Sequence, residues 1–358
     1  MSAVEFRKSG IDSWNGIRRN SEWTRLTSLC INPHSMYEEN NPPDIEESVV
    51  QAAVMKALPQ ISNPTIQFFY HGTYNVYLVE DKYLFRFPST ILPLDEQQTL
   101  VRREAALLNR LRGHLALEIP SPEFVDTESA VPFMVYKMIH GASLSRHYYS
   151  TNSEQQRFLG KQVGQFLSQL HAIDGSSLGL GEDGSYCPMD GQKEYQKVFA
   201  QAQDIVFPQL SNSEKEWSEN LFHEFLDYEE NFEFEPVLIH GDFDTSNILV
   251  NPATYTVTGI IDFEESRVYD PAADFVFLSE GVDFLASLLD AYTGKIDSQL
   301  GERVKFRLGR QPFIYILWGT EHDLDAMVKY GYNRLRHFIA NWKEYVSVAK
   351  QCFNFYRL

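Results

Sequence analysis

Cysteine is scarce: Cys30, Cys187 and Cys352 are the only three in 358 residues, and none forms a C-x-x-C pair. Neither a disulfide framework nor a cysteine-rich zinc module is expected, and a reducing, cytoplasmic compartment fits. Positive charge is in deficit. The chain has 31 Lys and Arg against 49 Asp and Glu, a formal net charge of −18. That balance works against attraction to nucleic acid or an anionic membrane and favours a polycationic small molecule as partner. No apolar run approaches membrane-spanning length, and Met1 to Gly10 lacks the basic-then-apolar pattern of a secretory leader. Internal repeats and long low-complexity tracts are also missing. What is present, 43% hydrophobic and 14% aromatic residues, supports a large core divided between two lobes.

Residues 1–43 show no sustained period and end in Glu38-Glu39-Asn40-Asn41-Pro42-Pro43, so they read as an extension. Asp44 stands three residues before Glu47 in a capping-box pattern, and Val50, Ala53, Val54, Ala57 and Leu58 mark one apolar face of a helix over 44–58. Runs rich in aromatic and β-branched residues at 65–70, 75–79 and 83–87, broken by turn-prone pairs, predict an antiparallel sheet. A helix over 95–112 and strands near Phe124 and over 132–138 follow. Beyond Gly141 the signals are mostly helical, at 154–171, at 214–228 and from about 272 onward. A Gly/Ser-rich loop lies between the first two, and short strands are expected at 237–239, 248–250 and 257–263. The outline is α+β, with a small antiparallel-sheet N-lobe over 44–139 and a larger, mainly helical C-lobe over 140–358.

The chemistry concentrates in Val237-Leu-Ile-His240-Gly-Asp242-Phe-Asp244-Thr-Ser-Asn247 and in Gly259-Ile-Ile-Asp262-Phe. One strand delivers Asp242 to a loop, Asn247 closes that loop, and Asp262 leaves another strand. Three oxygen-bearing side chains can thereby converge. Phosphoryl transfer needs such a set: a carboxylate to orient the acceptor hydroxyl and take its proton, and oxygen ligands to hold Mg²⁺ against the phosphates. Two other readings of the block fail on their own chemistry. A haloacid-dehalogenase-type phosphatase needs a Lys between its nucleophile and its late acids, and none lies between Asp242 and Asp270. An EF-hand needs Gly at the sixth position and Glu at the twelfth, where Asn247 and Ala253 stand.

His240-Gly-Asp242-x-x-x-x-Asn247 with Ile261-Asp262-Phe263, followed by Asp270 and Asp274, resembles the catalytic block of the aminoglycoside phosphotransferases. These are small-molecule kinases with a two-lobed, protein-kinase-like fold. The resemblance extends over about 44–358, and Leu84-Phe-Arg-Phe-Pro88 with Gly259-Ile-Ile-Asp-Phe263 looks most like the branch acting on the 2-double-prime hydroxyl. It implies ATP or GTP as donor, Mg²⁺ as cofactor, Asp242 as base, Asn247 and Asp262 as metal ligands, and His240, Asp270 and Asp274 as structural support. On the N-lobe helix, Glu104 lies on the apolar face and needs a cationic partner. Arg86 stands where the fold usually carries a Lys; it keeps the charge but is not equivalent to one. Only Gly72 marks the loop His71-Gly-Thr73-Tyr-Asn75, where Thr73 and Asn75 are candidates to approach phosphate or are simply parts of a hairpin turn. The stretch containing Tyr136 and Met138 should form the interlobe hinge, whose backbone can read a purine edge.

For a polycationic acceptor the carboxylate candidates are Asp244, Glu264, Glu265 and Glu321 with Asp323, beside Trp318. The acidic stretch from Glu219 to Glu230 is a further, mostly solvated, set. A macrolide, a choline-like alcohol or a metabolite remains an alternative acceptor, and a non-catalytic nucleotide-binding module is the reading from another class.

Overall fold

The computed structural model describes residues 42–175 and 191–353. The expected extension therefore lies outside the described residues apart from Pro42 and Pro43, as does part of the Gly/Ser-rich loop. The first helix, α1, spans Glu47–Ala57. Strands β1 (Ile66–His71), β2 (Tyr74–Val79) and β3 (Tyr83–Pro88) precede α2 (Leu94–Leu111), and β4 (Pro122–Asp126) and β5 (Phe133–Lys137) follow it. The five strands form one antiparallel sheet in the order β1-β2-β3-β5-β4.

Period-two alternation sorts the two faces of this sheet. Tyr77, Val79, Phe85, Phe87, Phe133 and Val135 pack on Val50, Ala53, Val54 and Leu58 at α1. Tyr74, Val76, Met134 and Tyr136 join Val101, Ala105 and Leu108 of α2 in the main core. Arg86, between Phe85 and Phe87, thus shares the α2 face. The expected capping box does not form. Glu46 occupies the N-cap of α1 without a side-chain bond, because the Asp44 carboxylate bonds instead to Asn75, Ser89 and Thr90 across the sheet.

After β5 the chain enters a helical region that carries two small sheets. β6 (Ala142–Ser143) pairs with β8 (Ile248–Asn251), which pairs with β9 (Thr256–Ile260). β7 (Val237–Ile239) pairs with β10 (Arg267–Tyr269), a strand with no clear signal in the sequence. The third strand of the expected set stops at Ile260, short of 263, since Asp262 takes φ 71 and cannot continue a ladder.

Helix α3 (Ser153–His171) begins with a complete capping box between Asn152 and Gln155. It packs on α6 (Val282–Ala291), where a Cβ at Gly160 or Gly164 would fall 2.2 Å from the carbonyl oxygen of Phe284 or Leu288. Only glycine permits that approach. Helices α4 (Gly191–Gln201) and α5 (Asn212–Leu226) build a second core with α7 (Leu300–Glu321) and α8 (Asp325–Phe353), centred on Phe222, Phe225, Phe306 and Phe313. Cys352 is buried and free. No helix among the described residues is long and apolar enough to cross a membrane.

Candidate active site

The loop after β7 is fixed from beneath by one carboxylate. Asp274 is fully buried; its Oδ2 accepts the His240 N–H at 2.7 Å and the His171 ring Nε2 at 3.1 Å, while Oδ1 accepts the Gly241 N–H at 2.9 Å. Burial alone would raise this carboxyl, but the His171 bond, the neighbouring histidines and the Gly241 N–H hold it below its ordinary value. Gly241 has φ 93, and a Cβ there would lie 2.3 Å from the Glu265 carbonyl oxygen, so the tight turn into Asp242 requires glycine. Asp270 is likewise structural. It caps the short helix after it through Ala272 and binds Arg303 at 3.0 Å and Arg307 at 3.4 Å, anchoring α7.

Hydrogen bonds link the segments that carry Asp242, Asn247 and Asp262. The Asn247 Nδ2 donates to the Asp242 carbonyl at 2.8 Å, which leaves its Oδ1 as the end able to ligate a cation. The Ile261 N–H donates to the Asn247 carbonyl at 3.0 Å, and the His240 ring Nε2 lies 2.9 Å from the Ile261 carbonyl oxygen. His240 is fully buried, so its ring holds the two strand exits together from inside. Asp262 is one residue beyond, with its side chain about a third exposed.

Arg86 reaches this group from β3. Its Nη1 meets Glu104 Oε1 at 2.5 Å, and its Nη2 meets Asp262 Oδ1 at 2.6 Å and Glu264 Oε2 at 3.5 Å. Its guanidinium lies 3.9 Å over the Tyr74 ring, and the Tyr74 hydroxyl donates to Glu104 Oε2 at 2.9 Å. Three carboxylates thus surround one guanidinium. Burial and the charge of Asp262 push the Glu264 carboxyl well above the usual range, although Arg86 opposes the shift. Burial works against the charge of Arg86 itself, but Glu104, Tyr136 and Asp262 hold it protonated.

The remaining expected positions separate. Asn75 is fully buried on the α1 face, opposite Arg86, and both ends of its amide bind Asp44. The alternation of β2 sets its side chain on the sheet face away from Arg86. Thr73 is exposed in the β1–β2 turn, and its carbonyl accepts the Ser89 N–H. Tyr136 is buried beside Arg86, where burial, with Glu104, pushes its hydroxyl up to about 12 despite the opposing Arg86 charge. The Met138 N–H donates to the Lys82 carbonyl at 2.8 Å and is not available to a base.

Among the acceptor candidates, Asp244 accepts the Ser246 N–H at 2.6 Å in the loop beyond Asp242. Glu264 faces Arg86. The Glu265 side chain is exposed and pairs with Arg267 at 3.0 Å. Trp318, 42% exposed, stacks on His322 at 3.8 Å on α7, and Glu321 is exposed at the end of that helix. Of the acidic stretch, Glu219, Glu224, Asp227, Glu229 and Glu230 are exposed.

Two residues escaped the sequence reading. Tyr315 of α7 feels the charges of Asp242 and Asp244 and stacks edge-on to Tyr330 of α8, 5.3 Å between centroids. Glu280, just before α6, lies close enough to Asp244 for burial and that charge to push its carboxyl up to about 7. Its backbone carbonyl accepts the Tyr148 hydroxyl at 2.5 Å. Gly281, with φ 84, follows Glu280 and was the one local sign of a special turn there.

The family model described as the phosphotransferase enzyme family matches residues 65–305. The uncharacterized protein YcbJ of Bacillus subtilis (strain 168) is 26% identical over 215 residues, covering 56% of this chain and 66% of its own. Acyl-CoA dehydrogenase family member 11 of Pongo abelii is 29% identical over 230 residues, covering 61% of this chain but only 26% of its own. The chain thus spans just under two thirds of the one relative and about a quarter of the other. The GDP complex of wild-type aminoglycoside 2'-phosphotransferase-IIIa superposes with a TM-score of 0.73 at 23% identity, covering 83% of this chain and 99% of that one. Macrolide 2'-phosphotransferase MphH from Brachybacterium faecium gives 0.61 at 16% identity, covering 80% and 98%. The α+β fold is therefore the one these kinase-like enzymes share, and, with its family model matched over more than half its length, the chain belongs to the phosphotransferase enzyme family.

Proposed function

We propose that this protein transfers the terminal phosphoryl group of ATP or GTP to a hydroxyl of a small, cation-bearing, aminoglycoside-like acceptor. The observation that carries the reading is the hydrogen-bonded assembly of Asp242, Asn247 and Asp262 around one loop. Asn247 Oδ1 and the Asp262 carboxylate are hard oxygen donors that fit Mg²⁺, which takes few protein ligands and fills the rest with phosphate and water. Bound there, the ion would supply charge neutralisation for the phosphates. The residues of the chain do the remainder. Arg86, held by Glu104, Tyr74 and Tyr136, offers a fixed cation on the donor side. Asp242 orients the acceptor hydroxyl and takes its proton as the new O–P bond forms and the bond to the leaving nucleoside diphosphate breaks.

The acceptor class rests on charge. Asp244 and Glu280 are close enough for the charge of one to act on the other, and a multiply protonated amine would satisfy both. Related structures carry GDP with kanamycin, ADP, and streptomycin with ATP, which supports a nucleotide donor and an acceptor of this kind. The test is a coupled nucleoside-diphosphate release assay across aminoglycosides, macrolides and simple amino alcohols with Mg-ATP and Mg-GTP. Turnover is expected with at least one aminoglycoside, and nucleotide binding without turnover on any alcohol would replace the enzyme with a binding module.

Glu280 adds a pH signature. A carboxyl raised to about 7 is mostly neutral at pH 6 and mostly ionised at pH 8. Acceptor KM should therefore fall as pH rises through 7 while the acceptor amines stay charged, and Glu280→Gln should flatten that step. Because the folded state holds this proton more tightly than the unfolded chain, Glu280 weakens the fold as pH rises from its unfolded value toward 7. Glu280→Gln should accordingly raise Tm at pH 8 and leave it unchanged near pH 4.

A further inference from the structure

We propose that Asp44 is a positioning residue for the nucleotide, clamping the β1–β2 turn from the sheet face that lies opposite Arg86. The inference rests on the phosphoryl-transfer reading and adds to it a residue outside the cleft. The turn, residues 71–75, joins the two strands nearest the donor side and contains only one glycine, Gly72. It lacks the flexible, glycine-rich sequence with which a loop moulds itself to phosphates, so its shape has to come from elsewhere.

Asp44 supplies it. One carboxylate oxygen accepts the Asn75 Nδ2 at 2.5 Å, and the Asp44 N–H returns a bond to the Asn75 Oδ1 at 3.1 Å. The other oxygen accepts the Ser89 hydroxyl at 2.6 Å and the Thr90 N–H at 2.8 Å. Ser89, at the end of β3, in turn donates its N–H to the Thr73 carbonyl at 2.7 Å, inside the turn. His71, on the β1 side, lies 2.6 Å from the Pro42 carbonyl oxygen through Nδ1 and 3.6 Å from Asp44 through Nε2. Three residues, Pro42 to Asp44, therefore tie down both flanks of the turn and the strand beside it. Burial opposes ionisation of Asp44, but the bonds from His71, Ser89, Asn75 and Thr90 hold its carboxyl far below the ordinary range.

A clamp of this kind orders the turn before ligand arrives, so nucleotide binding does not have to supply that ordering. Its loss should act on donor affinity and leave the helical region alone. Titration of the full chain with a non-hydrolysable Mg-ATP or Mg-GTP analogue, followed by calorimetry, tests this. Asp44→Ala is expected to weaken analogue binding about tenfold, and Asp44→Asn, which keeps one acceptor oxygen, to recover most of that loss. The control is Asp126→Asn. Asp126 binds Lys56 of α1 at the opposite edge of the same sheet, so that variant should lower Tm yet bind the analogue like wild type. Equal analogue affinity in wild type and Asp44→Ala, or the same weakening in Asp126→Asn, would overturn the clamp alone. Failure of the wild-type chain to bind either analogue would overturn the phosphoryl-transfer reading and the clamp with it.

Discussion

Asp242→Asn should leave the fold and nucleotide affinity close to wild type and lower turnover by about a thousandfold or more. The backbone around Asp242 is held by groups other than its carboxylate. Asp274 fixes the two residues before it, and the Asn247 amide binds its carbonyl rather than its carboxylate. An isosteric amide therefore keeps the loop while losing the ability to accept the hydroxyl proton. Phosphoryl transfer gives the protein little covalent chemistry to perform, so positioning and proton acceptance at this one side chain make up a large share of the rate. Single-turnover assays with Mg-nucleotide and a competent acceptor, beside circular dichroism and calorimetric titration of the variant, measure the three quantities separately. Unchanged turnover would remove Asp242 from the reaction. Lost nucleotide binding would show instead that its carboxylate serves the donor site.

How much of this was legible in the sequence follows from how local each signal is. The helices over 94–111 and 153–171 and the strands β1, β2 and β3 fell within a residue or two of expectation, because apolar periodicity is a local property that tertiary packing here reinforced. The pairing of Glu104 with Arg86 was also readable, since a carboxylate on an apolar helix face demands a cation and the family resemblance put Arg86 where the fold usually carries one. Asp44 was misread for the opposite reason. Asp44 matched a capping pattern with Glu47, but a carboxylate that meets three donors on other elements gains more there than from one helix N–H. No local pattern reports those long-range partners. Glu280 and Tyr315 were missed on the same grounds: Tyr315 lies in an unremarkable helical context, Glu280 is marked only by the following Gly281, and each feels Asp244 only through the folded chain. Strand β10 is three residues long and exists because β7 is there to pair with it.

Asp274→Ala should be the most destabilising single change in the catalytic region. Three donors converge on that fully buried carboxylate, the backbone N–H groups of His240 and Gly241 and the His171 ring. Alanine would leave all of them without that acceptor, at a cost of about 3–5 kcal/mol by analogy with breaking a buried charged pair. For a chain of this size that corresponds to roughly 10 °C in Tm. The loss would also reach function, because the same two backbone N–H groups set the turn that presents Asp242. Asp274→Asn separates the two effects. It keeps the volume and one acceptor oxygen but turns an N–H₂ toward donors, so it should recover part of the Tm while kcat stays depressed. Differential scanning calorimetry at pH 7 and below 4 gives an independent check. The depressed carboxyl contributes its stability above the unfolded pKa and loses it as pH falls through the folded one, so the wild-type advantage over Asp274→Asn should shrink in acid. A variant that kept both wild-type Tm and wild-type turnover would mean that the loop carrying Asp242 is held by something other than this carboxylate.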